Sequence, residues 1–273
     1  MFQINWKLKS LLYKFFEKIN NDRLLNFIQK YITKRSKIDI DNIKVTWLLH
    51  DEILKKYKVK KLVEFGAGKS LEQNIFFSLN NNIKIEQLLL DVYPIIDMQL
   101  VDDAYKKISK LLKKKTRIVE DLKIFNINYI APFKKQNIKR NFFNIVTSTN
   151  TLEHLKKKEI LDFLKFCKLI LKKKGIISLI IDCSDHYSHT DRKISPLNFL
   201  KFSNKEWNSK YNSKYLFQNR LRIGDYIKIF KKNKFKILQI KKSSFGKPPD
   251  NINNKYKKNL DNFILWFHVV LQK

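Results

Sequence analysis

The chain has 273 residues, 44% of them apolar, and a formal net charge of +32 from 57 basic against 25 acidic residues. That length suits one large α/β domain or two small ones, with enough apolar residues for a packed core. No run of eighteen apolar residues occurs, so a spanning helix is not expected. Neither a cleavable leader nor a cysteine metal site is expected, since only Cys167 and Cys183 are present and in no metal-type spacing. The expected location is cytoplasmic.

Residues 2–19 place Ile4, Leu8, Leu11, Leu12, Phe15, Phe16 and Ile19 on one helical face, with Lys9, Lys14, Glu17 and Lys18 largely opposite. Such a helix either caps the domain or lies on an anionic bilayer. A second short helix, "RLLNFIQKYI", is expected after it. From about residue 58 the period changes. "VKKLVEF" reads as a buried strand ending at a glycine turn, with a helix from about Leu71. "IEQLLLD" (85–91) is a second strand, followed by the helix "LVDDAYKKISKLLKKK". A third strand is expected in "IFNINYI" and a fourth in "FFNIVTS" (142–148). A helix over about 158–173 and a fifth strand, "GIISLIID" (175–182), come next. Residues 183–224 read as irregular and polar-aromatic. The helix "DYIKIFKKN", the strand "FKILQIK" and a last strand in "FILWFHVVLQ" close the chain. The alternation predicts an α/β fold: a doubly wound, mostly parallel seven-stranded sheet with helices on both faces and an N-terminal helical extension. Ligands in such sheets bind beyond the carboxyl ends of the strands, near the reversal of strand order.

The turn "VEFGAGKS" (63–70) ends like a P-loop, but that loop needs a glycine where Val63 stands. Without it the backbone cannot wrap a β-phosphate. A dinucleotide fingerprint needs a third glycine where Leu71 stands. Asp91, ending the second strand, is spaced to meet a ribose. The turn therefore suits a nucleoside better than a pyrophosphate.

With these residues, "VEFGAGKS" resembles the first motif of class I S-adenosylmethionine-dependent methyltransferases. "LLLDVYP" looks like that family's second strand, and "FFNIVTSTNTLEHL" like its fourth strand and the segment beside the methionine portion. "LKLILKKKGIISLIID" is similar to the following helix, turn and fifth strand. The resemblance covers roughly 58–182. It implies S-adenosyl-L-methionine as cofactor, with Glu64 positioning the turn and the cofactor's amino-acid end. Gly66, Ala67 and Gly68 would pass close to the methionine portion, Asp91 would accept from the ribose hydroxyls, Val92 and Tyr93 would lie along the adenine, and Asn150 would face the methionine end. The family often has an acid after the third strand; "YIAPFKK" has Phe133 and Lys134 instead, so the adenine amino contact is unassigned. On this reading residues 1–45 are the helical extension and 46–273 the methyltransferase domain, with 183–224 forming the acceptor wall.

Methyl transfer needs acceptor and methyl held in line, and a hydroxyl acceptor also needs a general base. His154 closes the fourth strand near the expected methyl position, either beside the acceptor or tying down its loop. "DCSDHYSHTDRKISPLNFLKFSNKEW" (182–207) brings Asp185, His186, His189 and Asp191 to the carboxyl end of the fifth strand. His186 could be the base, oriented by Asp185 or Asp191. His186, His189 and Asp191 could ligate a metal, or the group could merely order a loop. The expectation carried forward is a catalytic set of His186, His154 and Asp185, with no metal. His189, Asp191, Arg220 and Arg222 are the candidate acceptor contacts.

The expected acceptor is a small-molecule or glycan-precursor hydroxyl. Only seven of the 57 basic residues are arginine. Base-reading favours arginine, so a nucleic-acid partner is possible but not favoured, and the lysines read mostly as solvated helix faces. An RNA methyltransferase and a non-catalytic membrane-surface protein of degenerate fold are the alternatives.

Overall fold

The structure, a computed structural model, describes residues 3–19, 40–116 and 119–273. Its centre is a seven-stranded sheet in the order β3-β2-β1-β4-β5-β7-β6. The strands are β1 (Lys61–Phe65), β2 (Glu86–Leu90), β3 (Ile127–Ile130), β4 (Phe143–Thr149), β5 (Leu171–Asp182), β6 (Lys236–Lys242) and β7 (Trp266–Gln272). Pairing is parallel from β3 through β5, while β7 runs antiparallel to both β5 and β6. The longer helices among the described residues are α1 (Trp6–Ile19), α2 (Ile40–Lys56), α3 (Glu72–Asn80), α4 (Met98–Leu111), α5 (Lys157–Ile170) and α6 (Ile223–Lys232). The expected helix "RLLNFIQKYI" lies outside the described residues.

The sheet separates two apolar layers because successive strand residues point to opposite faces. Leu62 and Ile145 join Ile53 and Leu54 of α2, Ile75 and Phe77 of α3, and Ala104 and Ile108 of α4. Val63 and Val146 join Phe163 and Leu164 of α5 and Tyr226 and Phe230 of α6. Each fully buried Phe or Leu contributes about 1.5–3 kcal/mol, so these layers fix the sheet. With β1 central, the chain runs outward through β2 and β3 on one side and then crosses back to β4 on the other, so the strand order reverses between β1 and β4. The crevice at their carboxyl ends is where such folds hold ligands.

Three boundaries differ from the pattern-based expectation. The first half of "IFNINYI" is a 3-10 turn, Leu122–Phe125, closed by Asn126 in the left-handed region (φ 56), so β3 begins at Ile127. Helix α5 stops at Ile170, and β5 starts at Leu171 rather than Gly175. Residues 172–174 bulge out of register between the pairs Phe143↔Leu171 and Ile145↔Ile176. The chain folds tightly there, since a Cβ on Gly175 would lie 2.9 Å from Leu171 Cβ.

Helix α1 differs most. Its buried residues are Trp6, Lys9, Ser10, Tyr13 and Phe16, whereas Leu8, Leu11, Leu12, Phe15 and Ile19 of the expected apolar face are exposed. The reason is a second, smaller core built by the 187–207 stretch, in which Trp6 packs with Tyr187, Phe202 and Tyr211 at ring separations of 4.9–5.8 Å. Asp191 Oδ2 accepts from the Trp6 amide at 3.0 Å and so anchors the first turn of α1. Aromatic rings packed this way outweigh an aliphatic face of equal length.

Candidate active site

A cavity of about 560 Å³ opens at the carboxyl ends of β1, β4 and β5, lined among others by Glu64, Gly66, Ala67, Gly68, Asn150 and Asp182. Its floor is the turn after β1. Gly66 and Gly68 lie in the left-handed region, at φ 75 and 80, which glycine adopts without steric cost. Their surroundings differ. A Cβ on Gly66 would meet Thr151 Oγ1 at 2.5 Å, so this glycine lets the turn pack against the loop after β4. A Cβ on Gly68 would have nothing within 4 Å; its freedom serves backbone conformation at the cavity wall.

Glu64 is buried beneath the turn. Its Oε1 accepts from Gln73 at 2.8 Å, and its Oε2 accepts from Asn74 at 2.8 Å and from Thr147 at 3.1 Å. Burial pushes its carboxyl up to about 7 in spite of these donors. It thus ties β1 to α3 and β4. Below it runs a chain of polar groups: Thr149 donates to Gln73 at 3.0 Å, His50 lies 3.0 Å from Thr149 and 2.8 Å from Ser178, and Ser178 lies 2.8 Å from His268. Burial lowers both imidazoles, His268 to about 4 and His50 well below the usual value.

Asp91 stands at the end of β2, 7% exposed, with Oδ2 buried and lacking a hydrogen-bond partner among the described residues. Burial raises its pKa, partly offset by a hydrogen bond from Tyr129. A buried acceptor left unpaired costs about 1–3 kcal/mol, so this oxygen is poised for a donor from a ligand. Val92 and Tyr93 follow it, 63% and 72% exposed, on the open flank of the crevice. Asn150, in the left-handed region at φ 50, follows β4 and lines the cavity. Asp121 caps the 3-10 turn before β3 through the Lys123 amide at 2.9 Å.

At the opposite end the cavity is lined by Asp182, Ser184 and His189, with His186 and His154 packed behind His189. His186 Nε2 lies 3.2 Å from Asp182 Oδ2, and the His189 ring stacks on His186 at 5.0 Å with its Nε2 3.8 Å from the same oxygen. Burial alone would raise Asp182, but the hydrogen bond and charge of His186, with donors from Ser184, bring it below the ordinary value. The His154 ring is 4.9 Å from that of His186, and its Nδ1 is 2.7 Å from the Phe217 carbonyl. His186, His189 and His154 are therefore brought together as the sequence suggested. The carboxylate that orients His186 is Asp182, which sequence reasoning missed.

Four expected site residues serve other ends. Asp185 is fully buried and turns away from His186; its carboxylate accepts from the Tyr187 amide at 2.9 Å and Asn198 at 3.3 Å, and burial pushes it up to about 6. Asp191 anchors α1, as described above. Arg220 donates to the carbonyls of Phe199 at 2.7 Å and Phe202 at 3.0 Å. Arg222 donates to the carbonyls of Cys183 and Ile264. Both guanidiniums are buried and bond chiefly to backbone carbonyls, Arg220 also donating to Asn204 Oδ1, because the irregular 183–224 segment leaves carbonyls that no strand or helix satisfies. They join its layers rather than facing an acceptor.

No family model matches the chain, and a search of curated proteins gives no match. Among solved structures, a candidate O-methyltransferase from Nostoc punctiforme is similar at 12% identity and TM-score 0.50, covering 85% of this chain and 56% of that one. The CurJ carbon methyltransferase is similar at 13% identity and TM-score 0.42, covering 78% and 48%. A candidate S-adenosylmethionine-dependent methyltransferase from Listeria monocytogenes follows at 15% and 0.44, covering 81% and 96%. The chain spans about half the length of the first two. The Nostoc likeness and the 3-2-1-4-5-7-6 sheet agree, and the chain has the fold of the class I S-adenosylmethionine-dependent methyltransferases.

Proposed function

We propose that the protein is an S-adenosylmethionine-dependent methyltransferase acting on a hydroxyl of a small molecule or glycan precursor. The observation that carries this is the unpaired Asp91 Oδ2 beside a glycine turn that opens onto a 560 Å³ cavity. When bound, S-adenosylmethionine supplies a methyl on a sulfonium, and transfer leaves a neutral thioether. Asp91 accepts from the ribose hydroxyls, a task suited to a carboxylate with a free oxygen. Glu64 already has donors on both oxygens, so its part is to hold the turn, with Gly68 and Asn150 bordering the methionine end. Val92 and Tyr93 flank the adenine.

The acceptor enters from the side of Ser184 and His189, walled by residues 183–224. In-line geometry is the main demand there. A hydroxyl acceptor also gives up a proton, and the two imidazoles beside Asp182 are placed to receive it. His186→Ala is expected to lower turnover while leaving cofactor affinity intact; turnover equal to wild type removes the role. Incubating the protein with methyl-labelled cofactor and a cell extract, then identifying the labelled product, tests activity and acceptor class together. No labelled product above a heat-killed control contradicts the proposal.

The location follows the same proposal: cytoplasmic, resting on an anionic bilayer through α1. No helix among the described residues is long and apolar enough to cross a membrane. The exposed Leu8, Leu11, Leu12, Phe15 and Ile19 stripe with lysines beside it has the chemistry of an interfacial helix.

A further inference from the structure

We infer that Glu153, His154 and His186 form a binding site for a divalent transition-metal cation next to Asp182 and His189 at the edge of the crevice. One ligand atom from each of the three lies within 4.8 Å of the other two. With metal–ligand bonds of about 2.1 Å, donors stand roughly 3.4 Å apart around a tetrahedral ion. A movement of about 1 Å or less per side chain would then close the site.

The decisive observation is Glu153. It is 2% exposed, and neither carboxylate oxygen has a hydrogen-bond partner of ordinary geometry among the described residues. A buried carboxyl group left without ordinary hydrogen-bond partners is costly, and it sits beside two imidazoles. Each imidazole is already oriented through one nitrogen. His154 Nδ1 faces the Phe217 carbonyl at 2.7 Å, and His186 Nε2 faces Asp182 at 3.2 Å. On each ring the engaged nitrogen carries the proton, and the other is left as a lone-pair donor. Metal-binding histidines are characteristically held this way, by a carbonyl or carboxylate on the far nitrogen.

The supporting shell comes from three consecutive residues. Phe217 orients His154, Gln218 Oε1 accepts from the His186 amide at 3.0 Å, and the Asn219 amide donates to the Glu153 carbonyl at 2.9 Å. Asn219 Nδ2 also donates to the carbonyls of Leu152 at 2.8 Å and Leu155 at 2.9 Å, fixing the loop that carries Glu153 and His154. One strap thus sets all three donors. Two imidazoles with one carboxylate select the Zn²⁺ class of ion over Mg²⁺ or Ca²⁺ and leave positions open. This departs from the metal-free expectation of the sequence.

The binding stands on these residues alone, while its role rests on the methyl-transfer reading. A hydroxyl on an open position would lose its proton more readily. With both nitrogens of His186 then engaged, His189, stacked outside it, is the one of the two imidazoles that takes the proton. The oxygen then forms the new C–O bond as the S–CH₃ bond breaks, with its electron pair staying on sulfur.

The test is a titration of chelator-treated full-length protein with CoCl₂, read by visible absorption, with Zn²⁺ added as competitor. The expected result is the spectrum of a site with nitrogen and oxygen ligands, saturating at about one equivalent and erased by Zn²⁺. Glu153→Gln and His154→Gln are each expected to weaken cobalt affinity by at least about tenfold while retaining the folded circular-dichroism spectrum. Glu153→Gln keeps the shape of a neutral carboxyl, so a variant that binds cobalt like wild type overturns the site. So does a wild-type protein with no cobalt spectrum. Cofactor heat is measured separately on metal-free protein. Heat without cobalt binding sinks the metal site and spares the methyl-transfer reading; cobalt binding without heat does the reverse.

Discussion

At single residues, the carboxylates divide by whether their oxygens are already occupied. Glu64 has donors on both, whereas Asp91 has a free Oδ2. A charge-assisted hydrogen bond contributes about 1.5–3 kcal/mol. Asp91→Ala should therefore weaken S-adenosylmethionine about tenfold or more with little change in melting temperature; equal affinity would show that the ribose lies elsewhere. His268 gives a pH prediction. Its imidazole, held down to about 4 mainly by burial, stays neutral in the folded chain where an unfolded histidine would charge. The unfolded state thus takes up protons below about pH 6.5 that the folded state refuses until about pH 4. This contribution to stability is intact above pH 6.5 and lost as the pH falls from there toward 4. An NMR titration of the His268 ring should show a midpoint near pH 4, and a midpoint near 6.5 would contradict the buried network.

At the level of elements, the two glycines of the turn separate packing from conformation. Gly66→Ala places a methyl 2.5 Å from Thr151 Oγ1 and keeps a positive φ, whereas Gly68→Ala meets only the backbone strain. The left-handed strain is about 1–2 kcal/mol. Gly68→Ala should cost about that much stability and Gly66→Ala clearly more, as read by urea denaturation; the reverse order would refute the packing argument. Arg222→Ala removes two buried charge-assisted bonds and should destabilise by about 3 kcal/mol or more, which a wild-type melting curve would deny. These elements also show what the sequence could carry. The strands, the glycine turn, Asp91 and the gathering of His154, His186 and His189 were legible, because period, turn chemistry and strand ends are local signals. Asp182 went unassigned, although it ends a strand four residues before His186. The roles of Arg220 and Arg222 depend on which carbonyls the 183–224 segment leaves unpaired, and spacing does not encode that. The orphaned Glu153 was visible as a neighbour of His154, but its burial was not.

Across the whole molecule, the proposed bilayer contact through α1 is what would give the positive charge a partner. Helix α1 is pinned by Trp6, Tyr13 and Phe16, and Leu11 and Phe15 face outward. Pelleting with vesicles containing phosphatidylserine should exceed pelleting with neutral vesicles, and Leu11→Glu with Phe15→Glu should abolish the difference without lowering the melting temperature. Equal pelleting on both lipids would assign the lysines to solvation alone. The fold sets a crevice at the reversal point between β1 and β4, and the proposed function puts the nucleoside at Asp91 and the acceptor at the histidines. Calorimetric titration of S-adenosylmethionine into the full-length protein tests this arrangement most directly. Saturable heat that weakens at least about tenfold in Asp91→Ala is the predicted result. No heat from the wild-type protein would contradict it.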